Sequence, residues 1–256
     1  MVTEDHGLNI VIPTYKRAHQ LPGRDYFTTA KYVLPESQRE DYARVLSSER
    51  MIVIPDSEDG NIARKRNWIL RNISRPLLMI DDDVSCLIHS EKGSHEKLRQ
   101  HIKLAPHEAH DVIINGFNLA HQWGCVLWGI NVNTDGRYYQ QYKPFSLTQV
   151  VLGPFQGHLD HDLLCDERMG TKDDYDFSLQ VLNKYRKILR LNKFAYDCDH
   201  GNNKGGIVSM RTMEIEREYN RRIMNKWGSY IIKYLENPKK MKDLLNGMVS
   251  VPIKGV

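Results

Sequence analysis

The sequence predicts an α/β fold in which a mostly parallel sheet is covered by helices on both faces. Three observations carry that prediction. Short uninterrupted apolar runs rich in Ile and Val end at Pro, Thr or Asp, and the segments between them repeat apolar residues at helical spacing. A chain of 256 residues, 41% apolar and 27% charged, is long enough to bury a sizeable core.

The first run, Leu8 to Ile12 in LNIVIPTYKR, reads as a buried strand stopped by a turn at Pro13 and Thr14. Met51 to Ile54 has the same shape and ends at Pro55 and Asp56, and Leu77 to Ile80 follows Pro76 and runs into Asp81, Asp82 and Asp83. Between those two lies GNIARKRNWILRNIS, where Gly60 and Asn61 start a helix and Ile62, Ile69 and Ile73 share a face. Strand, helix and strand in about 30 residues make a βαβ unit. The polar stretch SEKGSHEKLRQ leads to a helix in HEAHDVIINGFNLAHQWG and then to the apolar run Cys125 to Val132. Residues Asp135 to Lys143 read as a hairpin or loop, LTQVVLGPFQGHL as a strand that breaks at Gly153 and Pro154, and KDDYDFSLQVLNKY as a helix. The remainder reads as a basic, helical end. The expected division is a catalytic domain over 1–210 with a basic helical extension over 211–256 packed on it.

Composition narrows the function classes. No apolar run approaches the ~18 residues of a membrane span, so no membrane partner is expected. The acidic opening MVTEDHGLNI does not read as a signal peptide, which makes the cytoplasm the expected compartment. Cys86, Cys125, Cys165 and Cys198 lie far apart without a CxxC pair and read as buried thiols. His107 and His110 in HEAH miss HExxH spacing and read as a polar helix face. The net charge of +4 hides an asymmetry: Lys184 to Lys242 holds 15 Lys and Arg against 6 Asp and Glu, a net of +9, leaving −5 elsewhere. Charge segregated in this way fits either two different partners or a solvated helical face.

Three clusters carry candidate chemistry. Asp81, Asp82 and Asp83 stand where a strand ends, the edge at which open α/β sheets bind ligands. Adjacent carboxylates suit a hard cation such as Mg²⁺ or Mn²⁺ that also holds phosphate oxygens, and a water-exposed turn is the other reading. Asp173, Asp174 and Asp176 open a helix, where one carboxylate serves as a cap and another is a candidate general base. YDCDHGNNKGGI combines His200 with a Gly- and Asn-rich loop suited to a phosphate-bearing ligand, or to no ligand at all.

In order, NIVIPTYKR, GNIARKRN, LLMIDDD, DDYDFSLQ, DHGNNKGG and MNKWG resemble the signatures of GT-A fold glycosyltransferases of the family 2-like kind, over about 1 to 230. That resemblance implies a Rossmann-like, mostly parallel sheet and a UDP-sugar donor whose base is held by Pro13, Thr14, Tyr15 and Arg17. Arg64, Asn67 and Asp82 are taken with them on the donor side. Asp81 and Asp83 match the DxD motif that holds Mn²⁺ or Mg²⁺, and His200 matches the position that completes the metal shell. Asp174 maps onto the catalytic base, with Asp173 as its neighbour. Asp82, between two metal ligands on an extended segment, is expected to point elsewhere. Two departures stand out: PDSEDG is looser than the family pattern, which puts base recognition through Asp56 in doubt, and Asp173-Asp174 replaces the usual Glu-Asp.

Within that fold, the IPTYKR opening, the DDD and the late KWG are most similar to the phage and kinetoplastid TET/JBP-associated glycosyltransferases that modify hydroxymethylated DNA bases. DNA is then the implied acceptor. A basic region is what a phosphate array requires, and Arg186, Lys187, Arg190, Arg221, Arg222 and Lys226 are its candidate contacts, with Tyr185, Tyr219, Trp227 and Tyr230 among them. Trp227 is assigned to packing rather than to stacking on a base. A transferase for polysaccharide or lipopolysaccharide, a nucleotidyltransferase, and a non-catalytic DNA-binding protein are the rival readings; IPTYKRAHQLPG is a poor phosphate loop for the second, and three acidic loops do not suit the third.

Overall fold

The computed structural model describes residues 7–92, 99–132, 139–198 and 212–253. Its first half runs β1 (Asn9–Pro13), β2 (Lys31–Pro35), α1 (Arg39–Ala43), β3 (Met51–Ile54), α2 (Ile62–Asn72), β4 (Leu77–Ile80), β5 (Val84–Lys92), β6 (Arg99–Lys103) and α3 (Pro106–Gln122). Then follow β7 (Leu127–Asn131), β8 (Phe145–Ser146), β9 (Phe155–His158), α4 (Asp173–Tyr185), β10 (Leu189–Cys198), α5 (Met213–Trp227), β11 (Ile232–Lys233), α6 (Lys242–Leu245) and β12 (Met248–Val249).

One sheet holds the first ten strands in the order β3-β2-β1-β4-β9-β7-β10-β5-β6, with β8 on β10. β3, β2, β1 and β4 are parallel, as the βαβ reading requires, with Val11 opposite both Lys31 and Met79. β5, β8 and β9 run against the other strands. Period-2 alternation sorts β1 between two cores: Ile10 and Ile12 join Phe117, Ala120 and Trp128 beneath α3, while Val11 joins Ala63, Ile69 and Leu70 of α2 and Phe177, Val181 and Leu182 of α4. Helices therefore cover both faces.

Strands β2, β5, β6 and β10 fall where the sequence reading places none. β2 is short, β5 and β6 take the polar stretch after the acids to the sheet's outer edge, and β10 occupies LRLNKFAYDC, a basic part of the 1–210 domain to which the sequence reading gives no strand. Charged and apolar residues alternate along β10, so a count of its charges does not reveal its period. The stretch from Lys184 is consequently helix, strand and helix rather than one helical face. Cys86, Cys125 and Cys165 are buried free thiols, whereas Cys198, at the end of β10, is partly exposed rather than buried. A third core joins Leu152, Met169, Tyr175 and Leu179 to Ile223, Ile232 and Tyr234.

Candidate active site

The C-terminal ends of β1 and β4 lie side by side, and the acids begin there. Asp81 is held in a turn by its own N–H to Pro154 O (3.2 Å) and by Val84 N–H to its carbonyl (3.2 Å). Asp82 turns inward, accepting from Thr14 Oγ1 at 2.7 Å and from Arg17 Nη1 at 2.6 Å. Thr14 Oγ1 is also 2.6 Å from the Tyr42 hydroxyl, which accepts from Arg17 N–H at 3.0 Å. Burial, reinforced by Asp83 and Asp81 and opposed by Arg17 and Thr14, pushes the Asp82 carboxyl up to about 6. Side-chain exposure is 12% at Asp82 against 29% at Asp81 and 20% at Asp83, which matches the expected alternation. Asp83 lies 3.7 Å from Arg17.

The helix α2 sends two buried cations to this edge, one to the Thr14 carbonyl and one to the acids. Asn61 caps it by accepting from Arg64 N–H (2.8 Å). Lys65 pairs with Asp59 at 2.6 Å and donates to Thr14 O, and burial lowers its pKa. Arg66, also buried, donates to Asp81 Oδ1 (2.9 Å) and to Asp173 Oδ2 (2.7 Å). Burial opposes its charge, and Asp173 and Asp81 outweigh that effect. The predicted pair Arg64 and Asn67, three residues apart on another face, holds a neighbouring loop instead. Arg64 meets Glu167 at 3.0 Å, and Asn67 accepts from Cys165 N–H at 2.7 Å and donates to Cys165 O at 3.0 Å. Lys65 and Arg66 are the residues sequence reasoning missed inside its own GNIARKRN motif: Arg66 reaches the acids, and Lys65 holds the Thr14 carbonyl beside them. Helical spacing separates the two pairs, but only the fold says which pair faces the sheet edge.

The acids of α4 have three different environments. Asp173 is buried against Arg66, and burial pushes its carboxyl up while Arg66 opposes. Asp174 is half-buried and accepts from Gly153 N–H (3.0 Å) and Tyr175 N–H (2.7 Å). Asp176 is fully buried and accepts from Trp227 Nε1 (2.7 Å), Gln180 Nε2 (2.8 Å) and Lys226 (2.8 Å). A Cβ at Gly153 would run into the Arg66 guanidinium, so only glycine fits where that arginine crosses from one acid to the other. Tyr196 of β10, also missed from sequence, is buried; burial, Cys198 and then the carboxylates of Asp81, Asp174 and Asp83 hold its phenol well above its ordinary pKa.

The other predicted residues are dispersed. Pro13 ends β1, and Tyr15 is 40% exposed with the ammonium groups of Lys16 and Lys65 at 5.2 and 5.8 Å from its ring centre. His200 lies outside the described residues. Among the described residues no group of three or more His, Cys, Asp or Glu is arranged to hold a metal ion. Arg186 and Lys187 occupy the turn after α4, and Arg190 on β10 is bonded to Gln149 and Asn192, with burial lowering its pKa to about 10. Arg221 and Arg222 share Glu218, while Lys226 closes on Asp166 at 3.0 Å as well as on Asp176. The six basic residues therefore lie on three elements, and Trp227 packs into the third core as assigned. No helix among the described residues is long and apolar enough to cross a membrane.

A family model described as TET-Associated Glycosyltransferase matches residues 8–206. The matched span contains β1 through β10 and every aspartate of the cluster, and α5 begins beyond it. No curated protein matches the chain.

Proposed function

The chain belongs to the TET-associated glycosyltransferase family and is a nucleotide-sugar-dependent glycosyltransferase; on that premise we propose that it transfers a sugar from UDP to a hydroxymethylated pyrimidine base in DNA. One observation supports the site assignment above the rest. The Arg66 guanidinium touches Asp81 and Asp173 at once, tying the strand-end acids and the helix-start acids into a single catalytic edge.

In this reading Thr14, Tyr15 and Arg17, after Pro13, form the wall for the nucleoside, and Asp82 locks that wall by bonding Thr14 and Arg17 rather than ligand. Asp81 and Asp83 fit a hard divalent cation, because Mg²⁺ needs only one or two carboxylates when phosphate oxygens and water fill the other positions. When bound there, with His200 as the expected further ligand, Mn²⁺ or Mg²⁺ supplies the positive charge that offsets the leaving diphosphate. Asp174 is the general base: Gly153 and Tyr175 N–H groups fix its carboxylate, which takes the acceptor hydroxyl's proton as that oxygen bonds the anomeric carbon and the carbon–diphosphate bond breaks. Asp173 and Arg66 hold the helix start in place. For the acceptor, the family description and the basic C-terminal half support DNA, and Arg221 and Arg222, with side chains 64% and 45% exposed, are among the accessible members of the assigned basic residues. A hydroxymethyl group inside a duplex is reached by turning the base out of the stack.

The test is direct. The protein is incubated with Mn²⁺, a panel of UDP-sugars, and DNA containing cytosine, hydroxymethylcytosine or hydroxymethyluracil, and the digested nucleosides are weighed. A hexose-sized mass gain on one hydroxymethylated base is the expected result. Transfer to a glycan with none to DNA would retain the donor and overturn the acceptor.

A further inference from the structure

The segment beyond the family match bonds repeatedly to the residues that start α4. Glu216 of α5 pairs with Lys172 at 3.0 Å, with side-chain exposures of 0% and 2%, and accepts from Thr171 Oγ1 at 3.0 Å. Lys172 also donates to Leu244 O (2.9 Å) and Leu245 O (3.1 Å) of α6, with its ammonium 5.1 Å from the Tyr234 ring centre. Trp227 and Lys226 hold Asp176, and Gly247 N–H donates to the Tyr175 hydroxyl at 3.3 Å. Gly170, at φ 55°, lies so close beneath the Tyr219 ring that no Cβ fits there. Residues 170, 171, 172, 175 and 176 are thus held from the C-terminal side, and Asp173 and Asp174 stand in the middle of the clamped stretch.

We infer that residues 213–249 are a positioning device for the catalytic acid pair, with Glu216 and Trp227 as positioning residues. The physical reason is that the first turn of a helix leaves backbone N–H groups without intrahelical partners, the turn before α4 is kinked at Gly170, and a buried charge pair fixes direction only while both partners are held. A small misplacement of a general base costs on the order of 10²-fold in rate, so an external clamp on this turn acts on turnover rather than on donor affinity. The inference rests on Asp174 being the base.

Trp227→Phe tests it with little disturbance, since the ring's packing is kept and only the bond from Nε1 to Asp176 is removed. Glu216→Gln is its partner, and Asn225→Ala, at an exposed position of α5, is the control. The expected result is a fall of about ten- to a hundredfold in kcat with donor KM within about twofold, a shifted acid limb in the kcat–pH profile, and a normal control. Independently of any substrate, amide hydrogen exchange at 173–176 should quicken by about tenfold in Trp227→Phe, because a hydrogen bond to a charged group is removed. Unchanged exchange, or unchanged kcat and pH profile while Asp174→Asn is inactive, overturns the inference. An active Asp174→Asn overturns the base assignment itself, and the exchange result then still decides whether the clamp exists.

Discussion

Replacing Arg66 by Met removes a side chain that touches both acid groups, and its cost is unequal at the two ends. Asp173 is 4% exposed, so removing its partner leaves a buried carboxylate with no countercharge, a change that costs about 3–5 kcal/mol. Asp81 is 29% exposed and rehydrates, which adds at most about 1 kcal/mol. Against a total stability of roughly 5–15 kcal/mol, urea unfolding of Arg66→Met should show a large fall in midpoint with little change in slope. The deficit depends on pH with a definite sign. Without Arg66 the folded-state pKa of Asp173 rises further above its unfolded value, so the folded variant binds the extra proton and its stability falls as pH rises. The gap to the parent protein should therefore widen from pH 5 to pH 7. Combining Arg66→Met with Asp173→Asn exchanges a buried charge for a buried amide, whose unmet hydrogen bond costs only about 1–3 kcal/mol, so the double variant should be the more stable. An Arg66→Met protein within about 1 kcal/mol of the parent at every pH, or a double variant less stable than the single one, would refute the bridging role.

Other outcomes follow from the same geometry. Gly153→Ala should destabilise by about 1–3 kcal/mol through collision with the Arg66 guanidinium and lower turnover by displacing the N–H that holds Asp174, checked by thermal melts and initial rates. Asp174→Asn should cut turnover about 10² to 10⁴-fold with UDP binding nearly intact by calorimetry, whereas Asp173→Asn should show its larger effect on stability. Chelation should abolish transfer, and Asp83→Asn should lose cation-dependent UDP binding; full activity in excess EDTA would remove the metal assignment. Reversing Arg221 and Arg222 to Glu should flatten the log–log salt dependence of DNA binding by about 0.9 for each phosphate no longer neutralised, while UDP binding is unchanged.

How much of this was legible depended on whether the relevant signal was local. β1, β3, β4, α2 and α4 were readable because an uninterrupted apolar strand or an amphipathic helix carries its own period. β5, β6 and β10 were not, since strands toward this sheet edge mix polar and apolar residues and the pairing of β5 with β10 is set by partners distant in the chain. The acids were found because carboxylates crowded at a strand end are conspicuous by themselves. Their cations were not, because nothing local distinguishes Arg66 from Arg64; the choice is made by the angle at which α2 packs on β1 and β4. Lys226 shows the same limit from the other side. As a sequence it was one more charge on a basic helix, and in the fold it neutralises Asp176 and Asp166, so net charge overstated the surface available to a polyanion.

The distribution of internal cations also says what the site lacks. Asp82 is matched by Arg17 and Asp173 by Arg66, and both acids are largely removed from the cleft. Asp81 has only a share of Arg66, Asp83 is 3.7 Å from an arginine already committed to Asp82, and Asp174 is held by backbone N–H groups. Asp81, Asp83 and Asp174 all act on the Tyr196 phenol, and a diphosphate bound beside them would bring further negative charge. Two bodies of like charge do not associate in a partly desolvated pocket unless something between them reverses the sign. Among the described residues the cations nearest this edge are already engaged: Lys65 is paired with Asp59 and bonded to Thr14, and Arg17 and Arg66 are bonded to Asp82, Asp81 and Asp173. In the proposed reading a divalent cation on Asp81 and Asp83 would supply that reversal of sign, on the two acids that flank the one turned away.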